Sequence, residues 1–169
     1  SKIMSEKKYD LIVIGGGPGG YVAAIRASQL GLSVALVEQE NLGGVCLNWG
    51  CIPTKALLRT AEVYRNIKNA EKYGLKVSGV EYDIDKIVGR SRDIAGRLSL
   101  GVSGLLKKNN VEVINGFGKL LGNGRVTVFQ DQSNPIDLFA ENIIIASGAR
   151  AKILEGFEPD GELIWTYKE

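Results

Sequence analysis

The chain has two cysteines, and both fall in one short segment, GGVCLNWGCIPTK, as Cys46 and Cys51. Thiols this close can close a disulfide, supply half of a metal site, or lie inert in a core. Zinc needs four ligands, and two cysteines with no histidine do not make them. A structural disulfide closing so short a loop would contribute only about 2 kcal/mol in the chain-entropy model. Pro53 puts Cys51 just before or within the first turn of a helix. Free N–H groups and the helix dipole there stabilise a thiolate. A thiolate beside a second cysteine can form and break a disulfide by exchange. The spacing therefore favours a redox pair over inert packing. Lys55 follows one turn on, either as a solvated lysine or as a cation held near an electron-accepting ring. Trp49 reads as packing for the segment.

A second group lies upstream. GGGPGG sets Gly15, Gly17 and Gly20 in the G-x-G-x-x-G spacing. The first glycine makes a tight turn, the second lets backbone approach a pyrophosphate, and the third packs helix against strand. No Gly-Lys-Ser/Thr follows, which excludes a Walker A loop. Glu38 lies 18 residues after Gly20, at the end of the next apolar run. A carboxylate there can accept hydrogen bonds from both ribose hydroxyls of an adenosine and would repel a 2′-phosphate. The bland alternative is a glycine turn with a solvated glutamate. The motif by itself does not choose between NAD and FAD. Cys46 comes eight residues after Glu38, so a dithiol follows closely on a dinucleotide site. A flavin, which takes electrons from thiolates, suits that pairing better than a nicotinamide.

These residues need elements to hold them. Residues 9–14 read as a strand buried on both faces. A helix follows, with Val22, Ala23, Ile25, Arg26 and Leu30 giving it two faces and Gly31 closing it. SVALVE is a second buried strand, completing a βαβ unit with parallel strands and a right-handed crossover. Pro53 opens a helix expected to run to Gly74, and residues 82–109 read as one long helix. Gly89, Gly96, Gly101 and Gly104 weaken that helix, which suggests close approach of another backbone. VEVINGFGKLLGNGRVTVFQ alternates and turns at Gly122-Asn123-Gly124, predicting an antiparallel hairpin. AENIIIASGAR reads as another buried strand, and 154–169 as irregular.

Composition sets bounds. The chain has 169 residues, 44 % of them hydrophobic, and a net charge of +2. That suits one domain, or one and part of another. Near-balanced charge without a dense basic block argues against nucleic acid as a partner. No apolar run reaches the roughly 18 residues of a membrane span. The polar start carries no secretory signal, and Ser1, Lys2 and Ile3 read as a remnant ahead of a native Met4. Without histidine, Ser/His/Asp and Cys/His catalysis are excluded within this chain alone.

GGVCLNWGCIPTKAL, with DLIVIGGGPGGYVAAIRASQLGLSVALVE upstream, resembles the flavin disulfide reductases over residues 8–169. The resemblance implies an α/β fold: a Rossmann-like parallel sheet binding FAD, with helices and a small antiparallel β-meander. It implies a tail at 1–8, an FAD-binding domain at 9–150 carrying the redox disulfide, and a connection toward an NAD-binding domain at 151–169. The FAD diphosphate would lie on Gly15, Gly17 and Gly20, with Glu38 on the ribose. Cys46 would exchange with substrate, Cys51 would face the flavin, and Lys55 would lie near its ring. Gly118 in GFGK would lie near the adenine, and Ser147, Gly148 and Ala149 would close over the cofactor. Gly44 and Val45 join the cofactor-binding positions. Members often carry Thr where Val45 stands, and Thr-Gly-Ser where Ser147-Gly148-Ala149 stands, so two hydroxyls are absent.

Within the family the sequence is most like the member that serves 2-oxo-acid dehydrogenase complexes. That likeness implies a lipoyl domain as partner, a homodimer at full length, and NAD bound by a later domain. It implies an acid/base His-Glu pair contributed by a dimerisation domain. The setting would be cytoplasmic in a bacterium or the mitochondrial matrix in a eukaryote. The alternatives are a non-catalytic nucleotide-binding module, or the same domain of a glutathione- or mercuric-reductase type of member.

Overall fold

The computed structural model describes residues 7–169. The expected remnant at the N-terminus lies outside the described residues. The chain divides into two compact units. One takes the chain up to Gly44 and then Ser99–Arg150; the other takes Val45–Leu98 and Ala151–Glu169.

The first unit is built on a six-stranded sheet. Its strands are β1 (Lys7–Ile14), β2 (Val34–Glu38), β3 (Glu112–Asn115), β4 (Phe117–Gly122), β5 (Arg125–Phe129) and β6 (Ile136–Ile145), in the order β3-β2-β1-β6-β5-β4. β1 pairs in parallel with β2 and β6, and β2 with β3, whereas β4, β5 and β6 run antiparallel. The Rossmann-like parallel sheet and the meander are therefore one continuous sheet. The core joins Ile12, Ala35, Val37 and Ile114 of the parallel part to Val126, Val128, Leu138 and Ala140 of the meander. Burying a side chain such as Ile12 or Leu138 contributes about 1.5–3 kcal/mol.

Three strand expectations need correction. β1 starts at Lys7 rather than Tyr9, because Lys7 and Lys8 carry the ladder on to Leu138 and Phe139 of β6. The segment read as one hairpin begins with β3, which pairs with β2; the hairpin proper is β4 and β5. Gly116, with φ of +153°, makes the break between β3 and β4. β6 starts at Ile136, and its C-terminal end is not buried: Ile145 is 62 % exposed. The turn itself is as expected, with Asn123 at φ +52° and Gly124 at φ +76°, the signs of a type I′ hairpin.

The helix of the βαβ unit, α1 (Pro18–Gln29), starts at Pro18, ahead of Val22, because proline suits a first turn. Its buried face is Gly20, Ala24 and Ala27, and Val22 and Leu30 are 55 % and 64 % exposed. Small residues let the helix lie close to the sheet. Of the apolar stripe read from the sequence, Val22 and Leu30 face outward and Ala23 and Ile25 are half-buried.

The second unit is helical. α2 (Gly44–Trp49) leads in, α3 (Cys51–Lys68) follows, and a 3-10 turn at Ala70–Tyr73 ends in Gly74 with φ of +75°. The single helix expected as far as Gly74 is thus broken at Asn69, whose side-chain amide donates to the Arg65 carbonyl. α4 (Ile84–Lys108) is the expected long helix; Asp83 caps it, accepting the Lys86 N–H at 3.1 Å. A Cβ built on Gly89, Gly96, Gly101 or Gly104 meets nothing within 4 Å, so no backbone approaches them. Residues 151–169 form turns without helix or strand, as expected. Among the described residues, no helix is long and apolar enough to cross a membrane.

Candidate functional site

In the first unit, the glycine loop joins β1 to α1. Gly15 has φ of +109°, and a Cβ there would overlap the Ala146 carbonyl. A Cβ on Gly20 would overlap the Gly15 carbonyl oxygen. These two glycines serve the turn and the close packing of helix on strand. Gly17 differs: a Cβ there would make only an ordinary contact, 3.5 Å from Gly44 Cα. Gly17 is the N-cap of α1, and no side chain caps the helix. Pro18 has no N–H and Gly20 donates to the Gly17 carbonyl, so the Gly19 N–H is the first-turn donor left for an anion. Gly44, with φ of +77°, packs against Gly17, where an added Cβ would lie 2.9 Å from Gly17 Cα.

The carboxyl ends of β1, β2 and β6 open beside this loop into a cleft of about 250 Å³. Ile14, Gly15, Glu38, Gly118, Ile145 and Ser147 are among its lining residues. β2 and β6 flank β1 on opposite sides, so this is the switch point at which open α/β sheets bind ligands. Glu38 is held in place there. Its carboxylate accepts the Gly16 N–H at 2.7 Å and the Glu40 N–H at 2.8 Å. A carboxylate has about four acceptor positions, so two remain for ligand hydroxyls. Gly118 lies over Val37, 3.3 Å from an added Cβ, and keeps the floor of the cleft low. Ser147, Gly148 and Ala149 follow β6 as an exposed turn, with Gly148 at φ +72°. The volume lies just below the roughly 300 Å³ of a small-molecule pocket, which suits part of a dinucleotide.

In the second unit, Cys46 and Cys51 form a disulfide with a Cα–Cα distance of 4.7 Å. Cys46 sits on α2, Cys51 is the first residue of α3, and both are exposed. The expected loop is therefore two helices bent at Gly50. A Cβ on Gly50 would lie 3.2 Å from Cys46 Cα, tighter than ordinary contact. Pro53 is the third helical residue rather than the first, still among the positions whose N–H has no helical partner. Val45 and Lys55 are both exposed. Among the described residues, no group of three or more His, Cys, Asp or Glu could hold a metal ion.

The model of the pyridine nucleotide-disulphide oxidoreductases matches residues 9–168. The chain belongs to that family. Dihydrolipoyl dehydrogenase of Zymomonas mobilis is 59 % identical over 159 residues, covering 94 % of this chain and 34 % of the relative. The Rhizobium etli enzyme of the same name is 49 % identical, over 96 % of this chain and 37 % of the relative. That of Bacillus subtilis is 44 % identical, over 96 % and 36 %. The chain thus spans about a third of the length of the curated relatives it matches.

In this pyridine nucleotide-disulphide oxidoreductase, the residues present fit a dinucleotide. The cradle at Gly17 and the two remaining acceptor positions on Glu38 suit a diphosphate and a ribose. Sequence reasoning missed Arg92 and the role of Trp49. Arg92 donates to the Asn48 carbonyl, and its guanidinium lies 4.3 Å from the Trp49 ring centroid. Lys168 Nζ lies 5.0 Å from the same ring. Arg90 donates to the Ala56 carbonyl of α3 at 3.1 Å. No local signal marks these partners, because they lie 44 and 34 positions apart along the chain.

Proposed function

We propose that this chain is the FAD-binding, redox-disulfide part of a dihydrolipoyl dehydrogenase. The observation that carries the reading is the Cys46–Cys51 disulfide, exposed at both cysteines, with Cys51 opening an 18-residue helix. The dinucleotide features of the other unit and the names of the relatives support it.

The diphosphate lies on the glycine loop, where Gly15 and Gly20 shape the turn and Gly17 leaves room at the start of α1, and Glu38 accepts from the adenosine ribose. Gly118, Gly44, Val45 and the turn of Ser147, Gly148 and Ala149 complete the cofactor contacts. A thiolate of the dithiol substrate attacks Cys46 Sγ, breaking the Cys46–Cys51 bond and forming a mixed disulfide, from which the second substrate thiol displaces Cys46. The protein disulfide opens to two thiols as the dithiol substrate closes to its own disulfide, so two electrons and two protons pass to the protein. Cys51, at the positive end of α3, is the thiol more readily held as thiolate. FAD held on the glycine loop and Glu38 would supply a two-electron acceptor for the reduced pair, with NAD⁺ as the final oxidant. Lys55 supplies a positive charge near the ring.

The substrate is a dihydrolipoyl group on a lipoyl domain of a 2-oxo-acid dehydrogenase complex. The full-length protein is a homodimer with its NAD site beyond these residues, working in the cytoplasm.

The test is spectroscopic. The purified chain with FAD should show bound-flavin absorbance, and dithiol should add a long-wavelength band. Loss of that band in Cys51→Ser is the expected result. A band that survives Cys51→Ser would reject the role of Cys51, and no retained flavin would reject the cofactor assignment.

A further inference from the structure

Four residues separate the cysteines: Leu47, Asn48, Trp49 and Gly50. If the disulfide opens, this segment alone limits how far the two thiols part, unless something outside it holds it. α4 does. Arg92 makes two different contacts on neighbouring residues of the segment, a hydrogen bond to the Asn48 carbonyl and a cation–π stack on Trp49. Asn48 is the buried residue of α2, so its carbonyl gains little from water as an alternative partner. A charged donor on a buried carbonyl is among the stronger hydrogen bonds, and the Arg–Trp stack adds electrostatic attraction to the ring face. Neither contact involves a sulfur atom, so neither depends on the S–S bond. Arg90 holds the other side, through the Ala56 carbonyl one turn beyond Cys51.

We propose that Arg92 is a positioning residue for the Cys46–Cys51 couple, clamping the intervening segment onto α4 in the disulfide and dithiol states alike. The inference rests on this pair being the redox couple proposed above. Its consequence has a definite sign. A clamp that persists after reduction keeps the thiols near each other, raises their effective concentration and favours the disulfide. Releasing it gives freedom to the dithiol state alone, because the disulfide restrains the oxidised one. The couple then becomes easier to reduce.

The experiment titrates the 169-residue chain against glutathione buffers with thiol trapping, which needs no flavin. Two glutathione thiols give up two electrons and two protons, the Cys46–Cys51 bond breaks, and glutathione disulfide forms. Arg92→Ala should lower the disulfide-to-dithiol equilibrium constant about three- to tenfold, the lower end expected if Lys168 still holds the ring. Arg92→Lys, which keeps a cation over Trp49, should recover part of that loss. An unchanged constant would overturn the proposal. So would a rise, because it would mean that Arg92 acts by stabilising a thiolate rather than by holding the segment. A wild-type couple that does not titrate would reject the redox reading itself, a result distinct from either.

A second measurement stands if Arg92→Ala does not fold. The chain has two tryptophans, so Trp165→Phe leaves Trp49 as the only one. Its emission maximum should be the same in oxidised and reduced protein. A red shift on reduction would show the segment leaving α4 and overturn the clamp.

Discussion

Gly17 and Gly20 carry the same side chain for opposite reasons, and one substitution separates them. Alanine at Gly20 overlaps the Gly15 carbonyl, so backbone must move. Gly20→Ala should lower unfolding free energy by about 2–4 kcal/mol, read from denaturant titration. Alanine at Gly17 meets only a 3.5 Å contact, so Gly17→Ala should change stability by less than about 0.5 kcal/mol. Its effect should fall on FAD instead, with affinity at least tenfold weaker by fluorescence titration. A stable Gly17→Ala that bound FAD normally would remove the diphosphate from that position. The cluster of Lys7, Tyr9 and Glu112 supports a pH prediction. Lys7, and then the Tyr9 hydroxyl, hydrogen-bond to Glu112 and hold its carboxyl below the ordinary value. Partial burial, and then Glu112, push the Tyr9 phenol up. The Glu112 contribution is present above its unfolded pKa of about 4.3 and is lost as pH falls below it. The Tyr9 contribution is present below about pH 10 and is lost as pH rises beyond it. Tyr9→Phe should therefore flatten the alkaline limb of the melting-temperature profile, and Glu112→Gln the acid limb; an unchanged alkaline limb in Tyr9→Phe would discount the phenol. At this scale the Cys46–Cys51 pair and the contact of Gly20 with Gly15 were legible because the partners are five positions apart. Glu112 and Arg92 were not, because their partners are 103 or more and 44 positions away.

Elements were legible where periodicity and burial agree. Leu11–Val13 of β1 and Val34–Val37 of β2 are apolar and are buried as such. α1 misled because its fully buried face is made of glycine and alanine, while Val22 and Leu30 of the expected stripe are exposed. β3 misled because alternation does not say which neighbour a strand chooses; Gly116 turns the chain so that β3 joins β2 and β4 joins β5. In α4 the sequence suggested that the glycines admit another backbone. Open space around Gly96 and Gly101 says otherwise and supports a direct test. Both are exposed and inside a regular helix. Gly96→Ala and Gly101→Ala should each raise stability of the chain by about 0.5–1 kcal/mol through lower unfolded-state entropy, and the two effects should add. A loss of stability on either would restore a close neighbour at that position.

At the scale of the whole molecule, the α/β class and the family were legible, whereas the division into two units was not. α2 and α4 carry the chain across the unit boundaries as helix rather than linker, so composition gives no sign of a border. The division sorts the chemistry: the dinucleotide cradle falls in one unit and the redox pair in the other. Composition adds a limit of its own. Two-electron oxidation of a dithiol at neutral pH releases protons, and the side chain whose ordinary pKa suits taking them is histidine. The chain has none. Binding, exchange and turnover should therefore come apart in this protein. The 169-residue chain should bind FAD and open its disulfide to an added dithiol, both seen in the flavin spectrum. In steady state with dihydrolipoamide and NAD⁺ it should form NADH at no more than the rate without protein. Turnover above that background would show that groups within these residues supply the missing acid and base, and would shift attention to the carboxylates and Lys55. Spectral reduction without turnover is the outcome that the residues of this chain support.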